Sequence, residues 1–176
     1  MSRKSFNIFL IVLALLISII IIKSIKGPIE KQKQVDKIEA MVINKLEEIK
    51  KAQMAYKEIT DTFANNFDDL ILVIKKGKIK KFKKLGGKAA DTMAIVKVDT
   101  LYVDALAETF GMDYNIDNLG KVPPMNQYLF KIEVGTLISN EIRVPLFQVT
   151  DPKPINPKRS LKIGSLTDAI YTGNWK

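Results

Sequence analysis

FNIFLIVLALLISIIII, residues Phe6 to Ile22, is a run of seventeen residues without a charge, broken only by Asn7 and Ser18. As a helix it would be roughly 25 Å long at about 1.5 Å per residue, the short end of what crosses a bilayer core of about 30 Å. A soluble core helix keeps a polar stripe, and this run has none. A cleaved signal would end in a small-x-small site. Here Lys23-Ser24-Ile25-Lys26 follows the run, and Gly27 is the only other small residue nearby. The expectation is an uncleaved single-pass anchor, with Phe6, Leu10, Leu15 and Ile22 among its membrane-spanning residues. Arg3 and Lys4 precede the run, while Lys23, Lys26, Lys31, Lys33 and Lys37 follow it. That count tilts the far side toward the cytoplasm. Single N-terminal anchors commonly leave the large domain outside, however, so an inner-membrane protein with a periplasmic domain is expected.

Working outward, Gly27-Pro28 punctuates the anchor, and a new helix starts or the old one kinks there. From Val35 an apolar stripe recurs at near-heptad spacing through Val42, Ile49, Tyr56 and Phe63. A second row is Ile38, Lys45, Ala52 and Ile59, with Lys45 the misfit. The packing stripe is thus Val42, Ile49, Ala52, Tyr56, Ile59 and Phe63. Either it lies on the chain's own sheet or it pairs with another chain, and Lys45 and Ala52 favour the former. Asn65-Asn66 caps a short helix carrying Phe67, Leu70, Ile71 and Ile74 on one face, with Asp68-Asp69 in its first turn and a glycine stop at Lys76-Gly77.

Lys75 to Lys88 (KKGKIKKFKKLGGK) holds eight lysines and no acid, in a chain of net charge +9. The basicity is therefore local. Ile79, Phe82 and Leu85 recur every three residues within it, the pattern of a basic amphipathic segment on anionic lipid. The candidate contact residues are Lys75, Lys76, Lys78, Lys80, Lys81, Lys83 and Lys84. Phe82 among lysines also fits a nucleic-acid patch, and a solvated loop fits equally. Nucleic acid is the least favoured partner.

After Ala94 the pattern turns to β. Ile95-Val96, Val98, Leu101 and Val103 surround a turn signal at Asp99-Thr100, and Asp104 to Phe110 reads as one helical turn ended by Gly111. Strands are expected at Tyr128 to Gly135 and Ile142 to Thr150, joined near Ser139-Asn140, with Pro145 requiring an edge or a bulge. A Pro-rich loop at Asp151 to Pro157 and a last strand at Leu161 to Ile163 complete the pattern, and Trp175 reads as a docking aromatic. The expected fold is α+β: an N-terminal transmembrane helix continuing into a long amphipathic helix, packed on a small antiparallel sheet. Its parts are an anchor (1–27), a helical stalk (28–76), a basic linker (77–90) and a β domain (91–176).

The chain has no Cys and no His. Disulfides, thiolate nucleophiles, Cys/His zinc sites and a histidine base are excluded. Asp113 to Asn118 (DYNIDN) begins like a calcium loop, but Asn118 stands where glycine belongs and Pro124 where a bidentate Glu belongs. An Asn/Asp turn accounts for it better. No catalytic, cofactor or metal site is expected, and no enzyme.

Lys45 to Leu70 (KLEEIKKAQMAYKEITDTFANNFDDL) resembles the helix of type IV pilins and pseudopilins, with an Ala-x-x-x-Tyr step at Ala52 and Tyr56. Ser5 and Leu10 differ from the glycine and glutamate of that family. The chain is also similar to single-pass envelope proteins of Bacteroidota, in that step and in the stretch Lys162 to Trp175. The resemblance implies a structural or assembly subunit of an envelope machine, with other envelope proteins as partners and a homo-oligomer among the possible assemblies.

Overall fold

The computed structural model describes residues 3–85, 97–139 and 141–175. The chain divides into two compact units, Met1–Ala40 and Met41–Lys176. Helix α1, Arg3–Thr60, runs unbroken through Pro28. The helix neither stops nor restarts at Pro28, which has no N–H to give and so forgoes one backbone bond.

In the first unit, α1 is long and apolar enough to cross a membrane. From Ile11 to Ile21 every side chain is exposed. The one polar group in that stretch, the Ser18 hydroxyl, donates to the Ala14 carbonyl at 2.9 Å and so is satisfied within its own helix.

In the second unit, α1 contributes Val42, Leu46, Ile49, Ala52, Gln53 and Ala55 to the core. Of the expected second row, Ala52 is buried and Ile59 half-buried, whereas in place of Lys45 the neighbouring Leu46 is buried, and Gln53 is buried beside Ala52. Lys45 lies at the rim, where its ammonium pairs with Glu48 at 2.6 Å. Tyr56 and Ile59 are half-buried, and Phe63, beyond the helix, is buried. The stripe from Val42 onward is therefore covered by the chain itself. Phe63 packs on Phe147 at 4.6 Å and on Tyr171 at 5.5 Å between ring centroids, with the Lys57 ammonium 5.2 Å from its ring.

Helix α2, Phe67–Lys76, starts where the Asn66 side chain accepts from the Asp69 amide at 2.7 Å, and it buries Leu70 and Ile74. Gly77 ends it with φ −79, so it is no left-handed cap. Glycine is required for another reason. A Cβ at this position would lie 2.4 Å from the Val73 carbonyl oxygen and 2.8 Å from Ile59 Cδ1.

Two antiparallel sheets follow where one was expected. Strands β1 (Lys78–Leu85) and β2 (Lys97–Asp104) pair along their full length. Within the expected basic linker Lys78–Leu85 is a strand, while 86–90 fall outside the described residues, and Asp99-Thr100 lies inside β2 and makes no turn. The expected strand residues Ile95-Val96 fall outside the described residues. Helix α3, Ala105–Phe110, ends at Gly111, whose φ of +93 reverses the chain. In the Asn/Asp segment, Asn115 accepts from the Asp117 amide and opens a single 3-10 turn, Ile116–Asn118.

The second sheet has the order β3-β4-β5: β3 (Lys131–Ser139), β4 (Ile142–Thr150) and β5 (Lys162–Gly164). The expected first strand is displaced toward the C-terminus. Asn140, in the expected connection, lies outside the described residues. Although β4 is the central strand, β5 pairs only with Gln148 to Thr150. Pro145 sits beyond its reach, where β4 is an edge on that side. The Pro145 carbonyl accepts from the Tyr171 hydroxyl at 3.2 Å. Since N and C=O of one strand residue point the same way, the missing N–H faces the open side and no ladder bond is lost.

Asp151 is buried after β4, its carboxylate accepting from the Lys153 amide at 2.9 Å. Burial pushes its pKa above the ordinary 3.8, partly opposed by that hydrogen bond. The folded state thus holds the proton more tightly than the unfolded chain. Stability falls as pH rises from about 4 through the raised value and is level above it. Asp151→Asn, which keeps the acceptor and removes the charge, is expected to raise the urea midpoint at pH 7, with the gain vanishing near pH 3.

Candidate functional site

The β1–β2 hairpin carries the most distinctive surface chemistry of the second unit. Alternation splits it into two faces. One face carries Lys78, Lys80 and Phe82 on β1, opposite Asp104, Tyr102 and Thr100 on β2. The other carries Ile79 and Lys81 opposite Val103 and Leu101. Ile79 is buried, and this second face is the inward one. Lys81 on it pairs with Glu108 of α3.

The outward face is basic and aromatic. Phe82 is 65% exposed and Tyr102 is 61% exposed. The Lys80 ammonium lies 5.1 Å from the Phe82 ring centroid. Among the described residues Lys76, Lys78 and Lys80 make no ion pair. Such a surface offers unpaired cations beside flat apolar rings, suited to a polyanion with an apolar boundary.

The structure sorts the candidate lysines. Lys78 and Lys80 share the outward face. Lys75, at the end of α2, is committed to Asp117 at 2.5 Å. Lys76 is exposed at the same helix end. Lys81 lies on the other face, exposed but paired with Glu108, and Lys83 and Lys84 hold register positions opposite Asp99 and Val98. Lys88 lies outside the described residues. The expected three-residue period of Ile79, Phe82 and Leu85 is replaced by a two-residue one that separates Ile79 from Phe82. Tyr102 was missed, because only the pairing with Lys80 brings it to this face.

Elsewhere some charged groups are paired within the fold, Lys50 with Glu47 and Lys131 with Glu133 among them. The Tyr114 hydroxyl donates to Glu48 at 2.6 Å, and burial together with this carboxylate pushes the phenol pKa up. An open groove of about 380 Å³ is lined by Met54, Ala55, Ile79, Lys81 and Glu108, the last two paired with each other. Among the described residues no three acidic side chains gather to hold a metal ion. Of the residues expected to span a membrane, Leu15 is exposed in α1, and Phe6, Leu10 and Ile22 are part of the same helix.

Set against known proteins, the chain matches no family model, no curated protein and no solved structure.

Proposed function

We propose that this chain is a membrane-anchored, non-catalytic assembly subunit. The observation that carries the reading is α1. One uninterrupted helix supplies both a stretch of exposed apolar side chains, Ile11 to Ile21, and the Val42 to Ala55 core of the second unit. A membrane accounts for the first part, and the second makes the anchor and the domain parts of one element. The place in a pilin-like machine of the bacterial inner membrane, with the domain on the periplasmic side, rests on the resemblance of Lys45 to Leu70. Purification from native membranes in mild detergent tests the assembly, with other envelope proteins expected to accompany the chain. Recovery of this chain with no other protein would overturn that. Protease digestion of spheroplasts tests the side, with the domain expected to be cut.

A second reading is favoured by Lys78, Lys80, Phe82 and Tyr102 sharing one exposed face: the hairpin grips anionic lipid. Each lysine near such a surface contributes about 1 kcal/mol at moderate ionic strength. Lys78→Gln with Lys80→Gln should therefore weaken capture of anionic vesicles by the chain in neutral nanodiscs roughly 30-fold. High salt should do the same to the unaltered chain. Capture indifferent to both would sink the reading.

A further inference from the structure

Among the described residues strand β3 has one partner, β4, and its other edge is open. The Pro145 geometry identifies which groups face that edge. The Pro145 carbonyl bonds Tyr171, away from β3, so Thr136, its register partner, also turns its N–H and C=O away from β4. By alternation Ile132, Val134, Thr136 and Ile138 all present their backbone groups outward. Among the described residues no backbone bond is made to this edge. Edge strands are usually protected by charge, proline or a bulge. Between Val134 and Ile138 there is neither charge nor proline. The pairing with β4 runs without interruption from Lys131 to Ser139. Ile138 is 70% exposed, and Val134 and Thr136 are exposed beside it.

We propose that a second copy of this chain occupies the edge, its β3 antiparallel to the first across a two-fold axis at Gly135. The four outward residues lie symmetrically about Gly135, so this register satisfies all of them on both strands with on the order of eight backbone hydrogen bonds. Ile132 of each copy falls opposite Ile138 of the other, and Val134 opposite Thr136. Like charges do not meet, because Lys131 faces Ser139 and Glu133 faces Leu137. Two three-stranded sheets become one six-stranded sheet with β5 at either end. This names the first partner within the assembly reading and rests on the β3 edge alone, so it stands or falls separately from the presence of other envelope proteins.

The chain has no cysteine, so single introduced cysteines report the register directly. In this dimer the two Gly135 positions form a non-hydrogen-bonded pair about 4.5 Å apart between Cα atoms, within disulfide range. A Cβ on Gly135 would meet only Leu166 Cδ2, at 3.5 Å, an ordinary contact. The full chain carrying Gly135→Cys, reconstituted in neutral bilayers and mildly oxidised, is expected to form a disulfide dimer. Ile138→Cys, more exposed but far from the axis, is expected to stay monomeric under the same conditions. Thr136→Pro removes an outward N–H that β4 does not use, and Val134→Lys charges the edge without touching the backbone. Each, added to Gly135→Cys, should lower the crosslinking rate roughly tenfold or more. Equal crosslinking at 135 and 138, absence of crosslinking at 135, or crosslinking unaffected by Val134→Lys each overturns the proposal.

Discussion

Gly164→Ala is expected to cost the second unit about 3 kcal/mol or more, a large part of the 5–15 kcal/mol that holds a domain together. Two penalties coincide at this residue. Its φ is +82, where a side chain costs about 1 kcal/mol. A Cβ there would also lie 2.2 Å from the Phe147 carbonyl oxygen and 3.2 Å from the carbonyl carbon. Both are backbone atoms of the central strand, so no side chain can swing aside. Relief requires β5 to lift from β4 or Phe147 to leave Phe63 and Tyr171, and overpacking of that kind costs a further 1–3 kcal/mol or so. Gly111→Ala is the control. With φ +93 and ψ 159 it too sits where side chains are rarely found, but nothing lies within 4 Å of its Cβ, so only the conformational cost of about 1–3 kcal/mol is expected. Urea midpoints at unchanged slope measure both. Equal losses at the two glycines would show that the collision with β4 is absent.

The second large effect is expected at Gln53. Its side chain is fully buried, and its amide makes two bonds to one residue. Gln53 Nε2 donates to the Ala64 carbonyl at 2.9 Å, and the Ala64 amide donates to Gln53 Oε1 at 2.9 Å. The side chain thereby imitates a strand partner for the turn that leaves α1. Gln53→Leu keeps the volume and strands both backbone groups. At about 1–3 kcal/mol each, the loss is about 2–6 kcal/mol. Gln53→Glu separates the hydrogen bonds from the packing. A protonated carboxyl can donate to the carbonyl and accept from the amide, whereas a carboxylate meets the carbonyl with like polarity in a buried place. Its folded-state pKa is therefore raised above the ordinary value of about 4.3. The sign follows: stability near the original below pH 4, falling as pH rises through the raised value. A Gln53→Glu urea midpoint that does not fall between pH 4 and 7 relative to the unaltered chain would show that the pairing with Ala64 does not hold the turn.

The elements legible in the sequence are those whose signals are local. The apolar run, the Asn66 cap, the glycine after Phe110 and the apolar alternation of β4 each act within a few residues. What was illegible depended on partners distant in sequence. Among the described side chains of β1 Ile79 alone is buried, so no period of two is visible until Lys97–Asp104 supplies the opposite strand. Gln53 carries no local signal of its role, because both its hydrogen-bond partners belong to Ala64, beyond the helix end. The shift from Lys45 to Leu46 came from reading a strict heptad where the core accepts neighbouring a and e positions. Pro145 correctly demanded an edge, but that edge exists because β5 is short, which nothing near Pro145 encodes. At the candidate surface the lysines could be found from composition, whereas their division into outward, inward and ion-paired groups needed the register.

The cluster of Phe63, Phe147 and Tyr171 has a consequence for how the protein is made. Synthesis runs from the amino end, so Val42, Leu46 and Phe63 leave the ribosome long before the residues that cover them. Phe63 waits for β4, and its cage closes only when Tyr171 arrives. Throughout that interval the nascent domain carries a bare apolar stripe, behind a segment long and apolar enough to cross a membrane. The stripe is made first and its cover last, so it stays open to chaperones, or to a neighbouring nascent chain, until Tyr171 has been made.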